Sequence, residues 1–166
     1  MRLRGWVGRL VLLIGCCSLG FPLGYAEEPI TQAQPPLPSV SLTITDHKKQ
    51  DYLFTVELAK TPREQEIGEM FRKEIPAHHG MLFIWPAAQE SAMWMKNTYV
   101  PLDIIFIDEQ NRIHAIEEHT IPLSEGIISS HGPVRAVLEL PAGTTESMGI
   151  VVGDHVVSSA LPSPVN

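Results

Sequence analysis

Cysteine is nearly absent from this 166-residue chain: Cys16 and Cys17 are the only two, and both lie near the N-terminus. Once that stretch is removed, no disulfide, thiolate nucleophile or cysteine metal site remains, and stability must come from core packing. Basic residues are scarce as well. Twelve Lys and Arg face 19 Asp and Glu, a net charge of −7. Taking Arg2, Arg4 and Arg9 from the 12 basic residues leaves nine against 19 acidic ones, a net −10. That sign argues against nucleic acid and anionic membrane surfaces as partners, because both are bound through clustered Lys and Arg. The known catalytic signatures are missing too: there is no Ser-centred elbow, HExxH, Gly-rich phosphate loop or paired-carboxylate motif. An enzyme would need a nucleophile, a base and an oxyanion site in mutual reach, so catalysis is not the expected role and no cofactor is implied.

What is present suits one domain with appendages, since single domains run most often to roughly 100–150 residues. A hydrophobic share of 44% with 19% charged residues permits a packed core. Residues 1–26 read as a signal peptide. Arg2, Arg4 and Arg9 give the positive start, the stretch from Leu10 to Leu19 is mostly apolar, and Gly24-Tyr25-Ala26 offers small residues for cleavage before Glu27. The apolar run is shorter than the roughly 20 residues a membrane span requires. Leu13-Ile14-Gly15-Cys16 also resembles a lipobox. Only six residues separate Arg9 from Cys16, which favours cleavage after Ala26 over lipidation. The expectation is an exported chain, periplasmic or secreted, with no membrane contact unless Cys16 carries a lipid.

Residues 27–38 hold Pro29, Pro35, Pro36 and Pro38 and read as a Pro-rich linker. The β-domain is expected over residues 39–159, with a short tail at 160–166. Val40, Leu42 and Ile44 alternate with polar residues as a half-buried strand requires, and Leu53 to Leu58 completes a hairpin. Thr61-Pro62-Arg63-Glu64 is a helix start, with Thr61 capping, Pro62 at the first position and Glu64 closing a capping box. Ile67, Met70 and Phe71 then fall on one stripe, so the helix is expected to continue past Gly68 and to end before Pro76. Three apolar runs, Met81 to Trp85, Ala92 to Met95 and Leu102 to Ile107, are short enough for strands. Strands also fit Arg112 to Glu118, Val134 to Leu140 and His155 to Ser158, with a long loop from Thr120 to Pro133 and one helical turn at Thr144 to Met148. Seven or eight strands to one short helix predict a mainly β fold, a single jelly-roll-like or distorted β-sandwich domain.

The strings GEMFRK, GMLFIW, MWMKNTYVPLDIIFID, LELPAG and GIVVGDHV, in that order from about Arg63 to Val157, resemble the family called domain of unknown function 192. The resemblance implies a small, mainly β fold and no established activity, substrate or cofactor. Two positions depart from the family's pattern. Glu69 stands where Leu is common in a Gly-Leu-Met triplet, and Met93 where an aromatic is common before the Trp.

The polar residues within the longest apolar block supply the candidate site. Trp94, Lys96, Asn97 and Thr98 put an aromatic face beside a donor, an amide and a hydroxyl, as small polar-ligand pockets do. Asp103, in an apolar strand, needs a partner, and Arg72 and Glu139 complete the set. The expected function is a non-catalytic binding module for a small polar ligand or an envelope protein, acting as a monomer. Plainer roles compete. Asn97 and Thr98 also suit a turn before Pro101, Asp103 suits capture by backbone donors, and Trp94 with Lys96 suits packing under a snorkelling ammonium. One alternative is an enzyme pairing Lys96 with Glu139 or Asp103. Another is a Cu(I) protein using Met93 and Met95 with His78, His79 or His131, since thioether and imidazole suit that ion. Core packing of the methionines is the more economical account.

Overall fold

The computed structural model describes residues 28–164. The signal peptide expected over residues 1–26, with Cys16 and Cys17, lies outside the described residues. The chain is mainly β, as expected. Its elements run β1 Ser39–Thr45, β2 Asp51–Ala59, α1 Pro62–Ile67, β3 His79–Met93, β4 Leu102–Ile107, β5 Ile113–Glu117, β6 Ile128–Pro141, α2 Thr144–Met148 and β7 His155–Ser158.

All seven strands belong to one sheet, in the order β5-β4-β6-β3-β2-β1-β7. The sheet curls until its two edge strands meet. Arg112 bridges His155, the Val156 N–H donates to the Asn111 carbonyl at 2.8 Å, and the Gly153 N–H donates to the Ile113 carbonyl at 2.8 Å. The facing layers expected of a sandwich are thus two halves of one curled sheet, and the curl leaves few open strand edges. Neighbouring strands are antiparallel except β2 and β3, which pair in parallel from Thr55 opposite His79 to Ala59 opposite Phe83. A parallel pair requires a crossover rather than a tight hairpin. Here α1 lies in that crossover, which is why the helix packs on the sheet's outer face.

Alternation along the strands divides the apolar residues between two cores. The inner one gathers Leu42, Ile44, Phe54, Val56, Leu82, Ile105, Ile107, Leu138 and Val156 inside the curl. The outer one gathers Met81, Phe83, Met95, Leu102, Ile104, Phe106 and Val137. Every residue of β4 is buried, which explains why its sequence is apolar at both parities.

Three local expectations change. The capping box forms as read, with the Glu64 N–H donating to Thr61 Oγ1 and the Thr61 N–H to Glu64 Oε2, but α1 stops at Ile67. Gly68 takes φ +49° and ends the helix with its N–H on the Glu64 carbonyl. Of the expected stripe only Ile67 is helical, Met70 and Phe71 belong to the following turn, and Met70 is buried through that turn. The run from Ala92 to Met95 is not a separate strand, because β3 extends to Met93 through two register shifts against β6. The loop expected from 120 to 133 ends earlier, since β6 begins at Ile128. Residues 34–37 of the expected linker are tied down: Gln34 Nε2 donates to the Glu64 and Gly68 carbonyls, and the Leu37 N–H to Glu57 Oε2 at 2.7 Å.

Candidate functional site

On the outer face of the sheet a cleft of about 390 Å3 opens between β3, β6, α1 with its following turn, and the segment after β3. Each wall has a local cause. Phe83 and Trp85 project outward from β3. The left-handed Gly68 lets the chain turn tightly enough to set Glu69 and Met70 against the sheet. A Cβ at position 68 would come within 3.2 Å of the Phe83 ring, so glycine is needed there for space as well as for φ. Met93, Trp94 and Thr98 form the opposite wall.

Glu139 reaches the cleft from β6, with 4% of its surface exposed. Among the described residues no hydrogen-bond donor or ion-pair partner reaches its carboxyl. Burial pushes that carboxyl well above its ordinary 4.5, the nearby Glu69 pushes it further, and Arg72 only partly offsets them. Glu69 is equally hidden, at 2% exposure. Its Oε2 lies 3.0 Å from Arg72 Nε, yet neither carboxyl oxygen receives an aligned N–H. Burial raises Glu69 to about 7, against the pull of Arg72. Arg72 is already committed, donating to both oxygens of Glu57 at 2.7 and 2.8 Å. Burial pushes Glu57 up, but those bonds and the Leu37 N–H outweigh it and leave Glu57 below its ordinary value. Three carboxyls therefore share one guanidinium, and Glu57 has most of it. The Trp85 indole Nε1, also buried, has no acceptor among the described residues.

A second hollow of about 330 Å3 adjoins the first and shares Glu66, Met70 and Trp94 with it. Arg63, Lys96, Asn97 and residues 28–30 line its remainder.

Of the residues predicted from the sequence, Trp94, Thr98 and Glu139 meet in the cleft and Lys96 and Asn97 in the adjoining hollow, while Arg72 stands behind the cleft's acids. Trp94 is 37% exposed, and Lys96 Nζ sits 4.8 Å above its ring. Asn97, at φ +55°, builds a turn. Its carbonyl accepts the Phe71 N–H at 2.8 Å and its amide contacts the Met70 sulfur. The loop at 120–127 does not line the cleft but braces this turn, through Met95 N–H to Ser124 O at 2.9 Å and Leu123 N–H to Thr98 O at 3.1 Å.

Asp103 is a correction. Its partners are not Lys96, Asn97 or Thr98 but the N–H groups of His119 and Gly143 on Oδ1 and of Thr145 on Oδ2, at 3.0, 3.2 and 3.0 Å. It shares strand parity with Ile105 and Ile107 of the inner core, whereas Glu139 shares parity with Val137 of the outer one. Asp103 and Glu139 thus lie on opposite faces of the sheet, and no ion pair joins Lys96 to either among the described residues. The acid–base pairings considered for Lys96 have no geometry to support them. The thioether pair fares similarly. Met95 is fully buried in the outer core and only Met93 reaches the cleft, so the two sulfurs do not form one accessible site.

The sequence reading missed Glu69, Glu57, Trp85 and Phe83 as site residues. Glu69 alone gave a signal, an acid where the family pattern has Leu.

The DUF192 family model, described as "Uncharacterized ACR", matches residues 43–158. Two solved structures share the fold. One, from Sinorhizobium meliloti 1021, is described as a candidate transcription regulator. It is 38% identical over 76% of this chain and 98% of its own, with a TM-score of 0.74. The other is a protein of unknown function from Novosphingobium aromaticivorans DSM 12444, 34% identical over 79% of this chain and 99% of its own, with a TM-score of 0.70. No curated protein matches the chain.

Proposed function

The chain belongs to the domain of unknown function 192 family, and from that premise we propose that it is a non-catalytic binding module, taking a small polar ligand into the outer-face cleft. The observation that carries this reading is the Glu139 carboxyl, on a buried residue at the wall of an aromatic-sided cleft, with no hydrogen bond or ion pair among the described residues. A buried polar group without a partner costs stability, roughly 1–3 kcal/mol by mutational measures, and a ligand's donor would satisfy it. The cleft lies at the small end of the roughly 300–1,000 Å3 typical of ligand sites and has their usual composition, apolar walls with a few polar groups. The acidic balance of the chain favours such a ligand over nucleic acid, even though one similar structure is described as a candidate transcription regulator.

Nuclear magnetic resonance tests the reading through the indole N–H signals of Trp85 and Trp94. Fragments of cationic, neutral and anionic type are added at millimolar concentration to the 15N-labelled protein. Ligands of at least one type shift both indole signals, and Glu139→Gln weakens the response. If no fragment moves either indole, the cleft is not a binding site.

We place the working protein outside the cytoplasm, on the strength of the charged and apolar leader at 1–26. Intact-mass analysis of envelope and secreted fractions finds the chain starting at Glu27. A full-length mass confined to the cytosol overturns export, and a diacylglycerol adduct at Cys16 replaces a free protein with a tethered one.

A further inference from the structure

We infer that the ligand of this cleft is a small organic cation, an amine or amidine on an apolar stem, held by the carboxyls of Glu139 and Glu69 against the rings of Trp85 and Phe83. The inference rests on the binding reading above and adds the chemical class. Acceptors without donors define what is missing from the site. The Glu139 carboxyl lines the cleft with no hydrogen bond or ion pair among the described residues, and neither oxygen of Glu69 receives an aligned hydrogen bond, so the complementary group must bring N–H or O–H donors. An anion is excluded by charge. Arg72 is bound at both ends of its fork by Glu57, Arg63 of the adjoining hollow pairs with Glu66 at 2.9 Å, and no Lys or Arg is among the residues that wall the cleft.

A neutral donor would satisfy the hydrogen bonds but not the field of three acids around one arginine. A cation satisfies both. The remaining walls agree, since aromatic faces attract cations through their negative π density, and the Met70 and Met93 thioethers are soft and adaptable. The chain itself places an ammonium on one such face, Lys96 over Trp94. The Trp85 Nε1–H needs an acceptor, which suits a stem that carries a carbonyl or hydroxyl oxygen.

Binding of a cation must also release protons. The charged and titratable groups around the pair are Glu57 on β2, Arg63 and Glu66 on α1, Glu69 and Arg72 in the following turn, Lys96 after β3, Arg135 on β6, and Glu139 itself. A cation favours the ionised forms of Glu69 and Glu139, so its affinity rises with pH through the range in which Glu69 ionises. With Glu69 at about 7, the gain between pH 6 and 8 is about tenfold.

The test titrates the full chain by calorimetry with three probes of one shape: phenethylamine, 2-phenylethanol and 3-phenylpropionate. Phenethylamine binds with 1:1 stoichiometry, at least about tenfold tighter than the alcohol, and the carboxylate gives no heat. Its affinity rises from pH 6 to 8 with proton release, while that of the alcohol stays flat. Glu139→Gln and, separately, Glu69→Gln each weaken the amine at least about tenfold and reduce the preference over the alcohol. If the alcohol or the carboxylate binds as tightly as the amine, the cation assignment fails and the binding cleft stands. Unchanged amine affinity in both variants also removes the assignment, because binding then lies elsewhere. If none of the three probes nor any other fragment is taken up, the binding reading falls with it.

Discussion

Glu69→Gln makes the protein more stable in alkaline solution and leaves it nearly unchanged in acid. Glu69 is 2% exposed, and burial raises its carboxyl from 4.5 to about 7. The folded state therefore holds a proton that the unfolded chain releases above about 4.5. Where the folded state binds more protons, stability falls as pH rises. The loss starts near 4.5 and is complete once pH passes about 7. That gap, at about 1.4 kcal/mol per pH unit, amounts to about 3 kcal/mol, a large share of the 5–15 kcal/mol that holds a typical domain together. Glutamine keeps the shape and stays neutral, so it removes this loss. Urea denaturation at pH 5 and pH 8 reads the difference. With a denaturant slope of roughly 1–3 kcal/mol per molar, the variant's midpoint lies about 1–3 M above that of the parent at pH 8, and the gap shrinks to about a quarter of that at pH 5. A constant gap at both pH values, or a less stable variant at pH 8, would refute the account, because it would make the Arg72 contact worth more than the cost of burial.

Asp103→Asn lowers the urea midpoint at neutral pH by about 3 kcal/mol in equivalent energy, because the new amide faces the Thr145 N–H and a charge-assisted bond is lost. A shift under about 0.5 kcal/mol would mean that the Asp103 contacts carry little energy. Gly80→Ala prevents native pairing of β3 with β6, since its Cβ would stand 2.1 Å from the Glu139 carbonyl oxygen. Loss of the cooperative thermal transition is the expected readout. Thr61→Ala costs about 1 kcal/mol, the worth of an N-cap, measured as a lowered midpoint with an unchanged denaturant slope. Glu139→Gln raises the midpoint at pH 8, because it removes a buried acid that lacks a partner.

Strand content, helix start and the second helical turn were legible because they depend on neighbours in sequence. Alternation at Val40, Leu42 and Ile44 marks β1, and Thr61 to Glu64 marks the head of α1. The end of α1 was not legible, since Ile67, Met70 and Phe71 keep helical spacing across Gly68 and only the tertiary fit of Gly68 under Phe83 decides for the turn. The site divided in the same way. Trp94, Lys96, Asn97, Thr98 and Glu139 could be picked out by residue type. Their grouping depended on contacts between distant residues, such as Arg72 with Glu57, fifteen positions apart, and Glu139 with the turn after α1. Asp103 was misplaced for a related reason. Its partners at 119, 143 and 145 come from the far ends of β5 and β6 and from the start of α2, and strand alternation alone cannot show which of several polar segments will arrive there.

The two cleft acids and Asp103 form a contrast within one small domain. Asp103 is fully buried and every oxygen is satisfied by a donor fixed in the fold, which is the arrangement expected of a group selected for stability. Glu139 is buried to nearly the same degree on the opposite face of the same sheet, and no donor among the described residues reaches it. A purely structural role could be filled more cheaply by Gln or Leu at that position, since removing a buried acid that lacks a compensating partner is often neutral or stabilising. Packing therefore does not explain Glu139. A ligand that supplies the missing donors does, and it would return on binding what the empty cleft costs the folded chain. Stability and affinity should then move in opposite directions when Glu139 is neutralised, whereas a residue that only holds the fold would lose both together.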